Sequence, residues 1–148
     1  MPRIVREAGV SWEGNLARGT GTLTAASSGA FVDLPFSIAS RIAVAPDQTS
    51  PEELLAAAHG GCFTTSLAGE LTKAGTPPEH LDVRCTITMD EVEGKGHQIV
   101  HSQIVAHGTV PDCDEAAFAQ AAEAADAGCP FSALIRASAT VAVTATLS

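Results

Sequence analysis

Thr49-Ser50-Pro51-Glu52-Glu53-Leu54-Leu55-Ala56-Ala57-Ala58-His59-Gly60-Gly61-Cys62-Phe63 is the stretch from which the rest of the chain can be read. Ser50 has the side chain of an N-cap, and Pro51 suits the first helical position, where a missing N–H costs nothing. Glu53 completes a capping box three residues after Ser50. Leu54, Leu55, Ala58, Cys62, Leu67 and Leu71 then recur at helical spacing. They predict a helix with a broad apolar face that runs to about Lys73 and stops at Gly75 and Pro77-Pro78. Gly60 and Gly61 are poor helix formers, each costing about 1 kcal/mol relative to Ala. Their pairing inside a helix predicts a close backbone approach, by another helix or by a ligand.

On either side of this helix the pattern changes from period 3.6 to period 2. Residues 8–16 and 19–26 alternate loosely around a Glu13-Gly14-Asn15 turn, and residues 31–44 read as one or two further strands. Beyond the helix, residues 81–90 alternate cleanly, with Leu81, Val83, Cys85, Ile87 and Met89 on one face. Residues 98–110 read as the partner strand. Asp114 can cap a second helix to about Ala127, which Gly128 ends. Residues 130–136 suit a short helix, and residues 138–147 a last strand. The order βββ-α-ββ-α-(α)-β lacks regular βαβ alternation and reads as α+β in a single domain over 1–148.

Bulk properties exclude several classes. A formal charge of −9 with scattered Lys and Arg disfavours binding to nucleic acid or to an anionic membrane surface. The first residues lack the apolar core of a secretory signal, and no stretch is long enough to span a bilayer. The expectation is a cytoplasmic protein, in a compartment where disulfides are transient or catalytic. The four cysteines lack metal-ligand spacing, and no metal or cofactor is called for.

Cys62 and Cys129 stand in the contexts best suited to reactive thiols. Cys62 lies in mid-helix beside two glycines, where it is either a small core hydrophobe or a nucleophile. Cys129, in Ala127-Gly128-Cys129-Pro130, lies just ahead of a helix start, whose dipole favours a thiolate. The two are candidates for distant thiols that meet in the fold and exchange electrons. Cys85 reads as core, and Cys113, between two aspartates, as an inert surface thiol. Arg41 interrupts an apolar stretch; it is either a solvated strand residue or turned inward, with Glu52 as its nearest anionic partner in sequence. Glu52 lies ten residues, about 15 Å, from Cys62 on one helix. It can therefore only support the helix start or serve a cysteine of another subunit. His59 shares a helix face with Cys62 and is either a satisfied buried histidine or a base or pocket-lining residue. A Cys62–His59 hydrolase is the weakest reading, since no orienting acid or oxyanion site is apparent.

Trp12-Glu13-Gly14, Arg18-Gly19-Thr20-Gly21-Thr22, the quoted Ser50-Pro51-Glu52-Glu53-Leu54 block through Cys62-Phe63, and Ala127-Gly128-Cys129-Pro130 with Ser132 follow one another in a specific order. In this the chain resembles the OsmC/Ohr family of thiol-dependent peroxidases, more closely its OsmC branch. The resemblance implies an OsmC-like fold, with antiparallel sheets wrapped around central helices in an intertwined homodimer. It implies Cys62 as peroxidatic thiol, Cys129 as resolving thiol, and Arg41 and Glu52 as a pair reaching the thiol across the subunit interface. His59, Phe63 and Phe131 would line the substrate pocket. The substrate would be an organic hydroperoxide, with hydrogen peroxide reduced less efficiently, and the reductant a thiol or dithiol. Gly60-Gly61 departs from the alanines expected there, and Phe131 is bulkier than expected after Pro130. The alternative is a non-enzymatic module that holds a hydrophobic small molecule in the interface pocket.

Overall fold

The computed structural model describes residues 1–148, which gather into two compact units, Met1–Pro51 and Glu52–Ser148.

The first unit is a three-stranded antiparallel sheet in the order β1 (Gly9–Glu13), β2 (Thr20–Thr24), β3 (Leu34–Phe36), followed by a short helix α1 (Ile38–Ile42). Its register explains the glycines of the Arg18–Thr22 stretch. Gly21 on the central strand pairs with Trp12 on one side and Phe36 on the other. The Trp12 and Phe36 rings meet above this bare position, with centroids 5.6 Å apart. A Cβ on Gly21 would stand 2.3 Å from the Phe36 ring and 2.8 Å from the indole. Gly19 is as constrained, since a Cβ there would fall 2.4 Å from the Asn15 carbonyl. The indole Nε1 donates to the Gly14 carbonyl at 2.9 Å, closing the turn that Gly14 makes at φ +88°.

Where the sequence predicts strand through residue 44, the chain turns into α1 instead. The Ser37 hydroxyl accepts from the Ser40 N–H at 3.1 Å, which is an N-cap, and a single helical turn follows. Arg41 thus stands on a helix, not a strand. Buried Ser40 fastens the following loop, accepting from the Gln48 N–H at 3.1 Å.

The second unit contains α2 (Pro51–Lys73) from Glu52 onward, β4 (His80–Val92), β5 (Gly96–Thr109), α3 (Glu115–Gly128), α4 (Pro130–Arg136) and β6 (Thr140–Leu147). Helix α2 begins at the expected proline and ends at the expected lysine. Strands β4 and β5 form a long antiparallel hairpin with a register shift at Thr88/Met89. Strand β6 joins the other edge of β5 in parallel, so this sheet is mixed rather than purely antiparallel. A parallel neighbour requires a crossover, and α3 with α4 supplies it. Asp114 caps α3 as expected, accepting from the Ala117 N–H at 2.7 Å.

The core lies between the helices and the sheet. Phe63, Leu67 and Leu71, one turn apart on α2, pack with Ile104 and Ala106 of β5 and Phe118, Ala122 and Ala125 of α3. Small residues on α3 let that helix approach closely. Gly108 is what admits Phe118: a Cβ there would stand 2.7 Å from its ring. With 0 % of their surfaces exposed, Phe63 and Phe118 are the largest fully buried side chains.

Candidate active site

Helix α2 carries Cys62 half-buried on the side that meets the start of α4. Cys129 is the joint between α3 and α4, closing one helix and serving as N-cap of the next. Its extended backbone (φ −80°, ψ 115°) is the conformation a following proline demands. That bend turns the Cys129 side chain inward, where it is 1 % exposed. Both thiols are free, and Cys129 lies near enough to Cys62 to perturb its proton equilibrium, so the fold brings the two distant cysteines together.

Burial pushes the Cys62 thiol above the ordinary range, and the hydrogen bond with Cys129 adds to the shift by favouring the protonated form. Two donors oppose it: the Phe131 backbone N–H and the Ser66 hydroxyl, one turn along α2. Phe131 contributes to the site through its backbone and is itself half-buried.

His59 takes the first of its two sequence readings, a satisfied buried histidine, and Phe63 is buried beside it in the chain. Phe63 is a core residue, and His59 is completely enclosed. The imidazole Nδ1 shares a hydrogen bond with Ser102 Oγ of β5 at 2.7 Å, and Nε2 shares one with Ser132 Oγ of α4 at 2.8 Å. Both ring nitrogens of His59 are thus engaged inside the chain. Burial lowers the His59 pKa, while Asp126 raises it and Arg136 lowers it further.

A third thiol belongs to this polar cluster. Cys85 Sγ lies 3.3 Å from Ser102 Oγ and 3.8 Å from His59 Nδ1, and burial pushes its pKa up. It packs against the core, as its place in the β4 alternation predicts. Cys113 is half-buried against the same core rather than at the surface. Ser102 was not singled out by sequence, and Ser132 was named there only as part of the Cys129 motif, with no partner assigned to it.

The paired glycines of α2 have separate explanations. A Cβ on Gly60 would come 3.3 Å from Cys85 Cβ, a close approach of helix and strand, whereas Gly61 faces open space. Glu52 and Glu53 occupy the first turn of α2, and Arg41 stands exposed in the last turn of α1 in the other unit. Arg41 there borders an apolar hollow of about 280 Å³ lined also by Trp12, Leu16, Phe36, Ser37 and Ile38.

This fold has counterparts among known proteins. The chain belongs to the OsmC-like protein family, whose profile matches residues 45–144. It is 33% identical over 130 residues to the peroxiredoxin OsmC of Escherichia coli (strain K12), covering 88% of this chain and 89% of that one. Its fold is that of an organic hydroperoxide resistance protein OsmC from Legionella pneumophila (TM-score 0.74, 17% identity, 97% and 99% of the two chains covered). It is likewise that of the organic hydroperoxide resistance protein OhrB of Bacillus subtilis (TM-score 0.71, 21% identity, 95% and 98% covered).

Proposed function

We propose that the protein is a cysteine-based peroxidase that reduces organic hydroperoxides, and hydrogen peroxide less efficiently, with Cys62 as the peroxidatic and Cys129 as the resolving thiol. The observation that carries this reading is the proximity of two free thiols from distant parts of one chain. The E. coli relative, named a peroxiredoxin, supports it. The Cys62 thiolate attacks the terminal oxygen of the hydroperoxide, the O–O bond breaks, and the alkoxide leaves with a proton as alcohol. Cys62 is then a sulfenic acid. The Cys129 sulfur attacks it, hydroxide leaves as water, and a Cys62–Cys129 disulfide forms. A thiol or dithiol reductant returns two electrons and two protons.

A thiol raised above its ordinary pKa is a poor nucleophile at neutral pH, so the surroundings of Cys62 within the second unit call for a positive charge. In this proposal the protein is a cytoplasmic homodimer of single OsmC-like domains, and Arg41, paired with Glu52, serves Cys62 across the subunit interface. The hollow beside Arg41 is apolar and suits the organic part of a hydroperoxide.

The test is peptide mapping by mass spectrometry after reduced protein has met one equivalent of an organic hydroperoxide. A Cys62–Cys129 crosslinked peptide, absent in Cys62→Ser, is the expected result. If both thiols remain reduced, the peroxidase reading fails. The same apolar hollow then favours a non-enzymatic module that binds a hydrophobic small molecule.

A further inference from the structure

The short helix α4 cannot hold its own place. It has seven residues, and its N-cap, Cys129, makes no side-chain capping bond. A helix of this length is unstable by itself and takes its position from what it packs against. Three of its residues anchor it to the rest of the unit. Ile135 enters the interior, Arg136 pairs with Asp126 of α3, and Ser132 bonds to His59 of α2. The first two secure the far end of the helix, toward Arg136. The bond to His59 lies near its start, where Cys129 and the Phe131 N–H are.

His59 is also placed to act as a gauge. It precedes Cys62 by three residues, so both side chains leave the same face of α2. Its other nitrogen is fixed to Ser102, on the central strand of the sheet, at 2.7 Å. His59, Ser102 and Ser132 are all 0 % exposed. A buried polar group that loses its partner bears the full desolvation cost, so this chain of bonds holds to one arrangement. We infer that the His59–Ser132 hydrogen bond is a positioning device that sets the reach of Cys129 to Cys62. Disulfide formation is exacting, with the two Cα atoms within roughly 4.4–6.8 Å and a narrow range of torsion. In this inference the clasp holds the start of α4 where Cys129 can reach Cys62. The inference rests on the redox pairing proposed above, but its test does not use peroxide.

Reduced protein is equilibrated with mixtures of reduced and oxidised glutathione, and the Cys62–Cys129 disulfide is counted by alkylation and mass spectrometry. The two thiols give up two electrons and two protons, and one glutathione disulfide becomes two glutathiones. The ratio measures the effective concentration of one thiol at the other. Ser132→Ala is expected to lower it about tenfold, less than the hundredfold that a misplacement of roughly 1 Å can bring. Ser132→Thr, which keeps the hydroxyl, is expected to restore it, a rescue that a general loss of packing would not show. His59→Leu is expected to match Ser132→Ala; where it fails to fold, the two Ser132 variants decide alone. An unchanged ratio in Ser132→Ala, a Thr variant as impaired as the Ala variant, or a parent that forms no Cys62–Cys129 disulfide overturns the inference. If the parent pair titrates with glutathione yet ignores hydroperoxide, the peroxidase reading falls and the clasp remains.

Discussion

Cys62 and His59 sit one turn apart, and each bears a proton equilibrium displaced by burial, with different consequences. For Cys62 the displacement is upward, against thiolate formation. A guanidinium brought near it stabilises the thiolate and lowers the pKa. The rate of Cys62 alkylation by iodoacetamide against pH should therefore have its midpoint moved upward in Arg41→Ala. An identical midpoint in the two proteins would remove Arg41 from the site. For His59 the displacement is downward. Its folded pKa lies below the unfolded value of about 6.5, so the unfolded chain binds more protons between the two. The contribution of neutral His59 to stability is complete above about pH 6.5 and declines as pH falls toward the folded pKa. Thermal unfolding midpoints of the parent should fall with acidification in that window more steeply than those of a folded His59→Leu variant. Parallel curves would assign the acid sensitivity to other groups. Sequence could pair His59 with Cys62 by helical spacing, but not with Ser102 and Ser132. Those contacts join three elements, and no local pattern records them.

At the level of elements, the chain's local signals were strongest where a cap, a proline or a glycine leaves little choice. Ser50-Pro51 and Gly75 bracketed α2, and Asp114 and Gly128 bracketed α3, so both helices were legible. Helix α1 was not. Its apolar residues suggested a continuing strand, although Ser37 three residues before Ser40 carried the cap that decides it. The parallel pairing of β6 was hidden for another reason: strand direction depends on how the crossover returns, which alternation does not encode. The glycines of β2 and its preceding turn are explained by the rings above them, and that makes a direct test. Gly21→Ala should destabilise the first unit by about 1–3 kcal/mol through overpacking. Trp12, the chain's single tryptophan, reports this by fluorescence in a denaturant titration. Gly69→Ala, with open space around its Cβ on α2, should leave the Trp12 transition unmoved. Equal shifts in both would mean that the ring contact contributes nothing. In the core, Phe118→Ala should cost about 3–5 kcal/mol, since the wall that Gly108 leaves open to Phe118 has nothing else to fill it.

Across the whole molecule, the first unit leaves Ile4, Val5, Val10, Leu16, Ile42 and Val44 largely exposed. Under the proposed dimer these side chains find cover against a second copy. Sedimentation should give twice the 15.0 kDa chain mass, and Ile42→Asp should shift the protein toward the monomer. A parent that sediments at the mass of one chain at micromolar concentration would rule the dimer out. The crossover between β5 and β6 has a further consequence, in biosynthesis. Cys62 leaves the ribosome well before Cys129, and at roughly 5–20 residues per second the interval lasts on the order of several seconds. The second half of helix α2 and the β4–β5 hairpin are made in that interval, but the parallel β5–β6 pair must wait for the whole crossover. Under the proposed pairing, each newly made chain thus passes through a stage in which Cys62 exists and its resolving partner Cys129 does not.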